Sequence, residues 1–203
     1  CDMSFFENTR KPVGFGGKLM VAMMNVGHSP VARWGLQFLN AAPDAKVLDC
    51  GCGGGANIKR LLKKCPQGIV KGVDYSPVSV EKSKKANETA IAEGRCAVLQ
   101  SSVADMMFAD GWFDAVTAFE TVYFWPNPPR CFREVYRVLK PGGTFLICNE
   151  SNGDTDKDEK WTEIIGGMTI YKDVELKAYL EQAGFHEVQI HKKKSWLCVT
   201  ARK

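Results

Sequence analysis

Short apolar runs alternate with amphipathic stretches along most of this 203-residue chain. Runs rich in β-branched and other apolar residues predict five strands, over residues 46–49, 69–74, 96–100, 113–119 and 144–149. Between them the pattern predicts helices over residues 56–64, 77–92 and 129–139. Strands that alternate with helices at this spacing predict a parallel sheet covered by helices on both faces. Ligands of such sheets bind where the carboxyl ends of the strands meet.

Both ends of the chain depart from this alternation. A helix over 174–183, stopped by Gly184, precedes two predicted strands over 187–190 and 196–200, which the basic turn 191–195 joins as an antiparallel pair. Residues 1–44 predict an N-terminal helical cap, and residues 151–168 carry apolar positions at helical spacing, which predicts a second cap segment. We therefore predict a single domain over 1–203, with a cap over 1–44 and an α/β core over 45–203.

Composition excludes several classes of protein. An apolar fraction of 45% and a net charge of +4 are typical of a packed globular core. The basic residues are scattered except for Lys192–Lys194, so nucleic acid is an unlikely partner. Apolar runs stay far below the roughly 20 residues of a membrane span, and the first residues show no signal peptide.

The cysteines and histidines predict neither disulfides nor a metal site. Eight cysteines lie mostly in apolar stretches and form no C-x-x-C pair, as free thiols do in a reducing compartment. The three histidines are too dispersed to form a ligand set. We expect a cytoplasmic protein without a bound metal.

A glycine-rich loop follows the first predicted strand and leads directly into a helix. The strand ends at Asp49, and four of the five residues 51–55 are glycine, which lets a ligand approach the backbone closely. The loop also fits the dinucleotide fingerprint G-x-G-x-x-G/A of dehydrogenases. Asp49 instead favours a cationic ligand such as S-adenosylmethionine. Asp74, at the end of the second strand, suits ribose hydroxyls in either class.

An ordered set of motifs resembles the class I S-adenosylmethionine-dependent methyltransferases, in particular the small type-11, ubiquinone-biosynthesis-like group. The loop matches that family's D/E-x-G-x-G-x-G motif in full. The other matching segments are Asp74, residues 113–116 (FDAV), residues 138–144 (VLKPGGT) and residues 180–185 (LEQAGF). The resemblance implies a Rossmann-like three-layer sandwich around a seven-stranded, mostly parallel sheet with an antiparallel last strand.

The resemblance also implies which residues hold the cofactor. Asp49 and the backbone of the loop would hold the methionine end, Asp74 would bind the ribose, and Tyr75 would pack beside the adenine. The family often has an aspartate where this chain has Ser102, which can still accept a hydrogen bond. The implied cofactor-binding residues are Asp49, Gly51, Cys52, Gly53, Asp74, Tyr75, Ser102, Val103 and Ala118.

The methyl acceptor is expected beside the segment that follows the fourth strand. Glu120 and Tyr123 are candidates for catalysis there, whereas Phe124 and Trp125 fit a helix packed on the core. His28, in a Gly-His-Ser-Pro turn, is a candidate general base.

The predicted reaction is methyl transfer from S-adenosylmethionine by direct displacement to a small-molecule acceptor. The short cap segments, apolar on one face, favour an acceptor of that size. A protein or RNA methyltransferase and a non-catalytic module that binds the cofactor or a partner are alternatives, and the dehydrogenase reading is the weakest.

Overall fold

Seven strands form one sheet in the order β3-β2-β1-β4-β5-β7-β6. The structure is a computed structural model that describes residues 29–154, 162 and 167–203. The strands are β1 (Lys46–Cys50), β2 (Ile69–Asp74), β3 (Cys96–Gln100), β4 (Phe113–Phe119), β5 (Leu139–Asn149), β6 (His186–Lys193) and β7 (Trp196–Arg202). The helices are α1 (Ser29–Gly35), α2 (Ala56–Lys64), α3 (Pro77–Ala86), α4 (Glu88–Ala92), α5 (Pro128–Val138) and α6 (Asp173–Ala183), with 3-10 turns at Leu36–Phe38 and Val122–Phe124.

Strands β1 to β5 are parallel, and β7 pairs antiparallel with both β5 and β6. The tight turn between Lys193 and Trp196 forces β6 and β7 to run in opposite directions, since parallel neighbours need a long crossover. The predicted fold, with a mostly parallel seven-stranded sheet and an antiparallel last strand, is confirmed.

The sheet is buried on both faces because strand residues alternate between two helical layers. One layer consists of α5 and α6, and Leu48 and Cys50 of β1 point into its core. The other consists of α1, α2 and α3, and Val47 of β1 points into it. The sandwich therefore has three layers, as the alternation of strands and helices predicted.

The helix predicted over residues 77–92 is interrupted at Asn87, which was not foreseen. The Asn87 side chain donates from Nδ2 to the carbonyl oxygens of Ser83 (2.9 Å) and Gly55 (3.2 Å). A side chain that bonds the carbonyl four residues earlier competes with the helical ladder. Two shorter helices result, and α3 is tied to the end of the glycine loop.

Other predicted boundaries moved by pairing that extends beyond the apolar runs. Strand β5 begins at Leu139 instead of residue 144, because the Pro141–Gly143 turn is drawn into the sheet edge. There the Gly142 N–H donates to Lys203 O (2.7 Å) and the Lys203 N–H donates to Gly143 O (3.0 Å). Strands β6 and β7 are also longer than predicted. Among the helices of the described residues, none is long and apolar enough to cross a membrane.

Candidate functional site

The carboxyl ends of β1, β2, β3 and β4 bring most of the predicted site residues to one edge of the sheet. The chain winds outward from β1 through β2 to β3 and then crosses back to place β4 on the other side of β1. The order of strands therefore reverses between β1 and β4, and loops diverge there to leave a crevice. Asp49 and the glycine loop lie at this switch point.

Asp49 is a buried carboxylate with one oxygen that lacks a protein partner. The residue is 1% exposed, and Thr117 Oγ1 donates to its Oδ1 at 2.8 Å. Asp49 Oδ2 is buried and has no hydrogen-bond partner among the described residues. Burial raises the pKa of Asp49 to about 7, and the negative charge of Asp74 adds to the rise, whereas Thr117 and the positive charge of Arg60 oppose it.

The start of the glycine loop is held against β2 by two backbone hydrogen bonds. The N–H groups of Gly51 and Cys52 both donate to Val73 O, at 2.8 and 3.0 Å. Gly51 has a φ of +70°, and a Cβ there would lie 1.9 Å from Thr121 Oγ1. Only glycine therefore fits between β2 and the segment that follows β4.

Gly53 has the opposite surroundings. Its φ is +51°, and a Cβ at this position would meet no atom of the described residues within 4 Å. Within that part of the chain the space above Gly53 is open, so a ligand can lie directly on the backbone. The Gly53 N–H donates to Asp74 Oδ2 at 2.9 Å, which fixes the middle of the loop to the end of β2.

Asp74 links the loop to the start of α3. Its Oδ1 accepts a hydrogen bond from the Ser76 N–H at 2.9 Å, while Oδ2 accepts from Gly53. Burial raises the pKa of Asp74, and these two backbone hydrogen bonds counteract the rise. Each carboxylate oxygen can accept a further hydrogen bond, so Asp74 has capacity for hydroxyl groups of a ligand.

The side chain of Cys52 faces the protein interior. Its Sγ lies 3.8 Å from Ser83 Oγ, and a Cβ on Gly72 of β2 would approach this sulfur within 2.9 Å. Burial raises the pKa of the thiol. Cys52 can meet a ligand at this edge through its backbone, and its thiol is a packing group.

The predicted adenine side of the site is built from Tyr75, Ser102 and Val103. Tyr75 is 38% exposed, and its carbonyl oxygen accepts a hydrogen bond from Gln100 Nε2 at 3.2 Å. Ser102 Oγ accepts from the Ala104 N–H at 3.2 Å, and Val103 is buried in the core. Ala118 of β4 is fully buried in the core on the α5 and α6 side, so its methyl group contacts the protein interior.

Glu120, Tyr123 and Glu150 form a titratable cluster where β4 and β5 end. Glu120 has a φ of +56°, in the left-handed region that non-glycine residues rarely adopt. Its Oε1 accepts a hydrogen bond from the Glu150 N–H, and Tyr123 Oη accepts from the Ser151 N–H at 3.1 Å. Burial and, to a lesser extent, the charge of Glu150 together raise the pKa of Glu120 to about 8.

Trp125 follows this cluster and packs in the core, as the sequence predicted. Its ring lies 5.7 Å from that of Phe132 and stacks over Phe145 at 6.2 Å. The aromatic residue that accompanies the carboxylates is therefore Tyr123, and Trp125 stabilises the layer below it.

Sequence reasoning did not identify Thr117, Thr121 or Asn87. Thr117 orients Asp49, Thr121 packs on Gly51, and Asn87 ties α3 to the loop. A hydroxyl among the apolar residues 115–119 of β4 was the one available signal for Thr117. The other two residues depend on contacts between distant segments.

Several predicted features lie outside the described residues. They are His28, the first predicted cap helix and most of the second cap segment, since residues 1–28, 155–161 and 163–166 are not described.

The comparisons with known proteins relate the chain to methyltransferases. A family model described as a methyltransferase domain matches residues 48–147, which run from β1 through β5. Among solved structures, a methyltransferase in complex with the Haloferax volcanii Trm112 methyltransferase activator superposes with a TM-score of 0.78 at 21% identity, over 90% of this chain and 92% of that one. At this identity the superposition shows the shared fold.

Curated relatives include enzymes named for sterol methylation. Cycloartenol-C-24-methyltransferase 1 of Oryza sativa subsp. japonica is 36% identical over 54% of this chain and 31% of the relative. Cycloartenol-C-24-methyltransferase of Arabidopsis thaliana is 31% identical over 74% of this chain and 47% of the relative. The chain thus spans less than half of each of these two proteins.

Proposed function

We propose that this chain, which belongs to the class I S-adenosylmethionine-dependent methyltransferases, transfers a methyl group from that cofactor to an apolar small-molecule acceptor. The observation that carries the proposal is the unpartnered Asp49 oxygen beside the open backbone of Gly53, at the point where the strand order reverses. A buried carboxylate oxygen without a partner is costly. A ligand that brings an ammonium group relieves this cost.

The residues at the edge would hold three parts of the cofactor. Asp49 would receive the ammonium of the methionine end, and the backbone from Gly51 to Gly53 would lie beneath it. Asp74 keeps acceptor capacity for the ribose hydroxyls after its bonds to Gly53 and Ser76. Tyr75, Ser102 and Val103 would flank the adenine.

The acceptor class is supported by the relatives and by the chemistry beside β4. Several relatives are named as sterol methyltransferases, and one as a hydroquinone methyltransferase. All of these names describe small acceptors with large apolar parts. Next to Glu120 in the chain, Tyr123 is buried and its ring lies 6.1 Å from that of the partly buried Phe124. Apolar side chains beside one ionisable group would suit an acceptor with an apolar body and one reactive atom.

The bound cofactor supplies a methyl group already activated by its sulfonium charge. The protein then contributes mainly alignment, which can supply on the order of 7–11 kcal/mol in a site without water. Glu120 would take a proton from an acceptor that must lose one. Its pKa of about 8 places this proton transfer near neutral pH, where a general base is effective.

Calorimetric titration tests the cofactor assignment. We expect saturable binding of S-adenosylhomocysteine and no binding of NAD. Asp49→Asn keeps the shape of the side chain and its contact with Thr117 but removes the charge, so it should strongly lower the affinity for S-adenosylhomocysteine. Asp74→Ala should also lower this affinity, since both ribose contacts and the hydrogen bond to Gly53 are lost.

Proton release provides a second readout in the same titration. With a pKa near 7 in the free protein, Asp49 is partly protonated at pH 7, and pairing with an ammonium would ionise it. Binding should therefore release protons, which appears as a heat that varies with the ionisation enthalpy of the buffer. Binding of NAD, or of neither ligand, contradicts the assignment of the loop.

An acceptor panel tests the reaction. Sterols and prenylated hydroquinones are offered with S-adenosylmethionine, and formation of S-adenosylhomocysteine is measured. With a responsive acceptor that loses a proton, Glu120→Gln should lower kcat by roughly 10²- to 10⁴-fold and leave the affinity for S-adenosylhomocysteine unchanged. The wild-type rate should rise with pH and level off above about pH 8.

The same experiments separate the alternatives. Turnover with RNA or a protein substrate, and none with the panel, would favour a macromolecular methyltransferase. Tight cofactor binding without turnover on any acceptor would favour a non-catalytic module, because a fold hosts more than one function.

A further inference from the structure

A positively charged side chain lies on the helix that follows the glycine loop and was not among the predicted site residues. Arg60 is on α2, the helix that begins directly after the loop. Its Nη1 donates to Asn57 Oδ1 at 2.6 Å, in the first turn of the same helix. Its Nη2 donates to Ser29 Oγ at 2.6 Å, at the start of α1. Two short hydrogen bonds thus hold the guanidinium beside the loop.

Among the described residues, the two hydrogen-bond partners of Arg60 leave its positive charge unneutralised. Both Asn57 and Ser29 offer neutral oxygens, and a guanidinium has several further N–H donors. Burial and the neighbouring charge of Arg33 on α1 lower the pKa of Arg60, and the charge of Asp49 opposes this. A guanidinium remains charged in proteins, so this edge of the site has a fixed cation that would stabilise an anion.

Arg60 and Asp49 interact electrostatically in both directions. The charge of Arg60 lowers the pKa of Asp49, and the charge of Asp49 raises that of Arg60. The site thus combines an unpartnered carboxylate oxygen with a tethered guanidinium. A ligand that bears an ammonium and a carboxylate a few bonds apart is complementary to this pair.

We propose that Arg60 binds the carboxylate of the methionine end of S-adenosylmethionine, while Ser29 and Asn57 act as positioning residues for its guanidinium. This inference rests on the proposed function, because it concerns the same cofactor. Guanidinium and carboxylate form charge-assisted, often bidentate hydrogen bonds, which add orientation as well as affinity. Through Ser29, the contact connects cofactor binding to α1, whose Val31 O accepts a hydrogen bond from Cys148 Sγ of β5 at 3.5 Å.

The test compares two ligands that differ by one group. S-adenosylhomocysteine carries both the ammonium and the carboxylate, whereas S-adenosyl-3-thiopropylamine keeps the amine and lacks the carboxylate. Arg60→Gln should lower the affinity for S-adenosylhomocysteine by about 10- to 100-fold, as expected for the loss of a hydrogen bond to a charged group. The same variant should bind S-adenosyl-3-thiopropylamine as the wild type does.

Three further variants complete the design. Arg60→Lys should retain part of the affinity, because it keeps the charge but loses the planar fork. Ser29→Ala keeps the positive charge of Arg60 and removes one of its two hydrogen bonds. It should therefore lower the affinity for S-adenosylhomocysteine less than Arg60→Gln does. Lys63→Gln removes an exposed cation from the same helix and should change neither affinity.

Each outcome has one interpretation. Equal weakening of both ligands by Arg60→Gln would overturn the proposal and assign Arg60 a purely structural role, which a lowered melting temperature would accompany. Unchanged S-adenosylhomocysteine affinity would also overturn it. Failure of the wild-type protein to bind either ligand would instead contradict the proposed function itself.

Discussion

Two aspartates on neighbouring strands, Asp49 at the carboxyl end of β1 and Asp114 at the amino end of β4, have opposite surroundings. Lys140 Nζ lies 2.5 Å from Asp114 Oδ1, and the Lys46 N–H donates to Oδ2 at 2.8 Å. Partial burial raises the pKa of Asp114, but these hydrogen bonds outweigh it and lower the pKa overall. Among the described residues Asp49 has one hydroxyl donor and one oxygen without a partner, and its pKa is raised.

This difference separates a carboxylate that stabilises the fold from one whose second oxygen remains available to a ligand. Asp114 joins the start of β4 to β1 and β5 with groups of the chain itself. Asp49 lies at the switch point, and the described residues of the free protein provide a hydrogen bond to only one of its two carboxylate oxygens. Perturbed carboxylates of this kind concentrate at functional sites, and variants at the two positions should respond in opposite ways.

The largest effect is expected in the pH dependence of stability. A folded-state pKa raised from 3.8 to about 7 means that native Asp49 keeps its proton where the unfolded chain has lost it. Its contribution to the free energy of unfolding is complete below pH 4 and declines by up to about 4 kcal/mol as the pH rises to about 7.

Chemical denaturation of the protein without cofactor, at pH 4 to 8, measures this decline. Asp49→Asn removes the titrating group, so its stability should vary much less over this range and exceed that of the wild type at pH 8. If the free energies of unfolding of the two proteins vary with pH in the same way, the pKa of Asp49 is not raised in the free protein.

A smaller effect is expected for Thr117→Val, which removes the hydroxyl that bonds Asp49 at nearly constant volume. The loss should lower stability by about 1–3 kcal/mol. It should also raise the pKa of Asp49 further, so S-adenosylhomocysteine binding at pH 7 weakens and recovers at higher pH. Calorimetric titration at pH 7 and 8.5 measures both affinities.

Thr200→Val, at a buried threonine of β7, is the matched control for Thr117→Val and should leave cofactor affinity unchanged. The Thr117 effect should also disappear when Asp49→Asn is already present. If the two substitutions weaken binding independently, the hydroxyl does not act through Asp49.

The smallest effect is expected for Asp114→Asn. The side chains of Lys140 and Asp114 are 39% and 38% exposed, so solvent screens their attraction and the loss should be about 1 kcal/mol. Because the folded-state pKa is lowered, this contribution is present above the unfolded value and is lost as the pH falls through the folded one. Urea denaturation at pH 7 and pH 3 should show a smaller difference at pH 3 than at pH 7.

Cofactor binding distinguishes the two ends of the sheet. Asp114→Asn should bind S-adenosylhomocysteine with wild-type affinity, in contrast to Asp49→Asn. An equal loss in both variants would mean that the fold as a whole, and not the switch point, sets the affinity.

The amino-acid sequence by itself determined the sheet and the edge of the sheet at which the candidate site lies. Strands β2, β3 and β4 have the predicted bounds, since β-branched and apolar runs between polar turns depend on local pattern. Asp49, the glycine loop and Asp74 could be located because a strand end, a loop and a helix start are consecutive in the chain. The sequence also placed Glu120 and Tyr123 after β4.

Tertiary structure alone decided which hydrogen-bond partners these residues have. Thr117 meets Asp49 across 68 positions of the chain, and Arg60 meets Ser29 across 31. Asn87 interrupts a helix that its local sequence favours, because its side chain is drawn to Gly55. Such contacts follow from strand register and helix packing. Both depend on the burial of apolar side chains along the whole sheet and not on any local stretch of sequence. Local pattern therefore identifies the carboxylates, and packing decides which of them is left for a ligand.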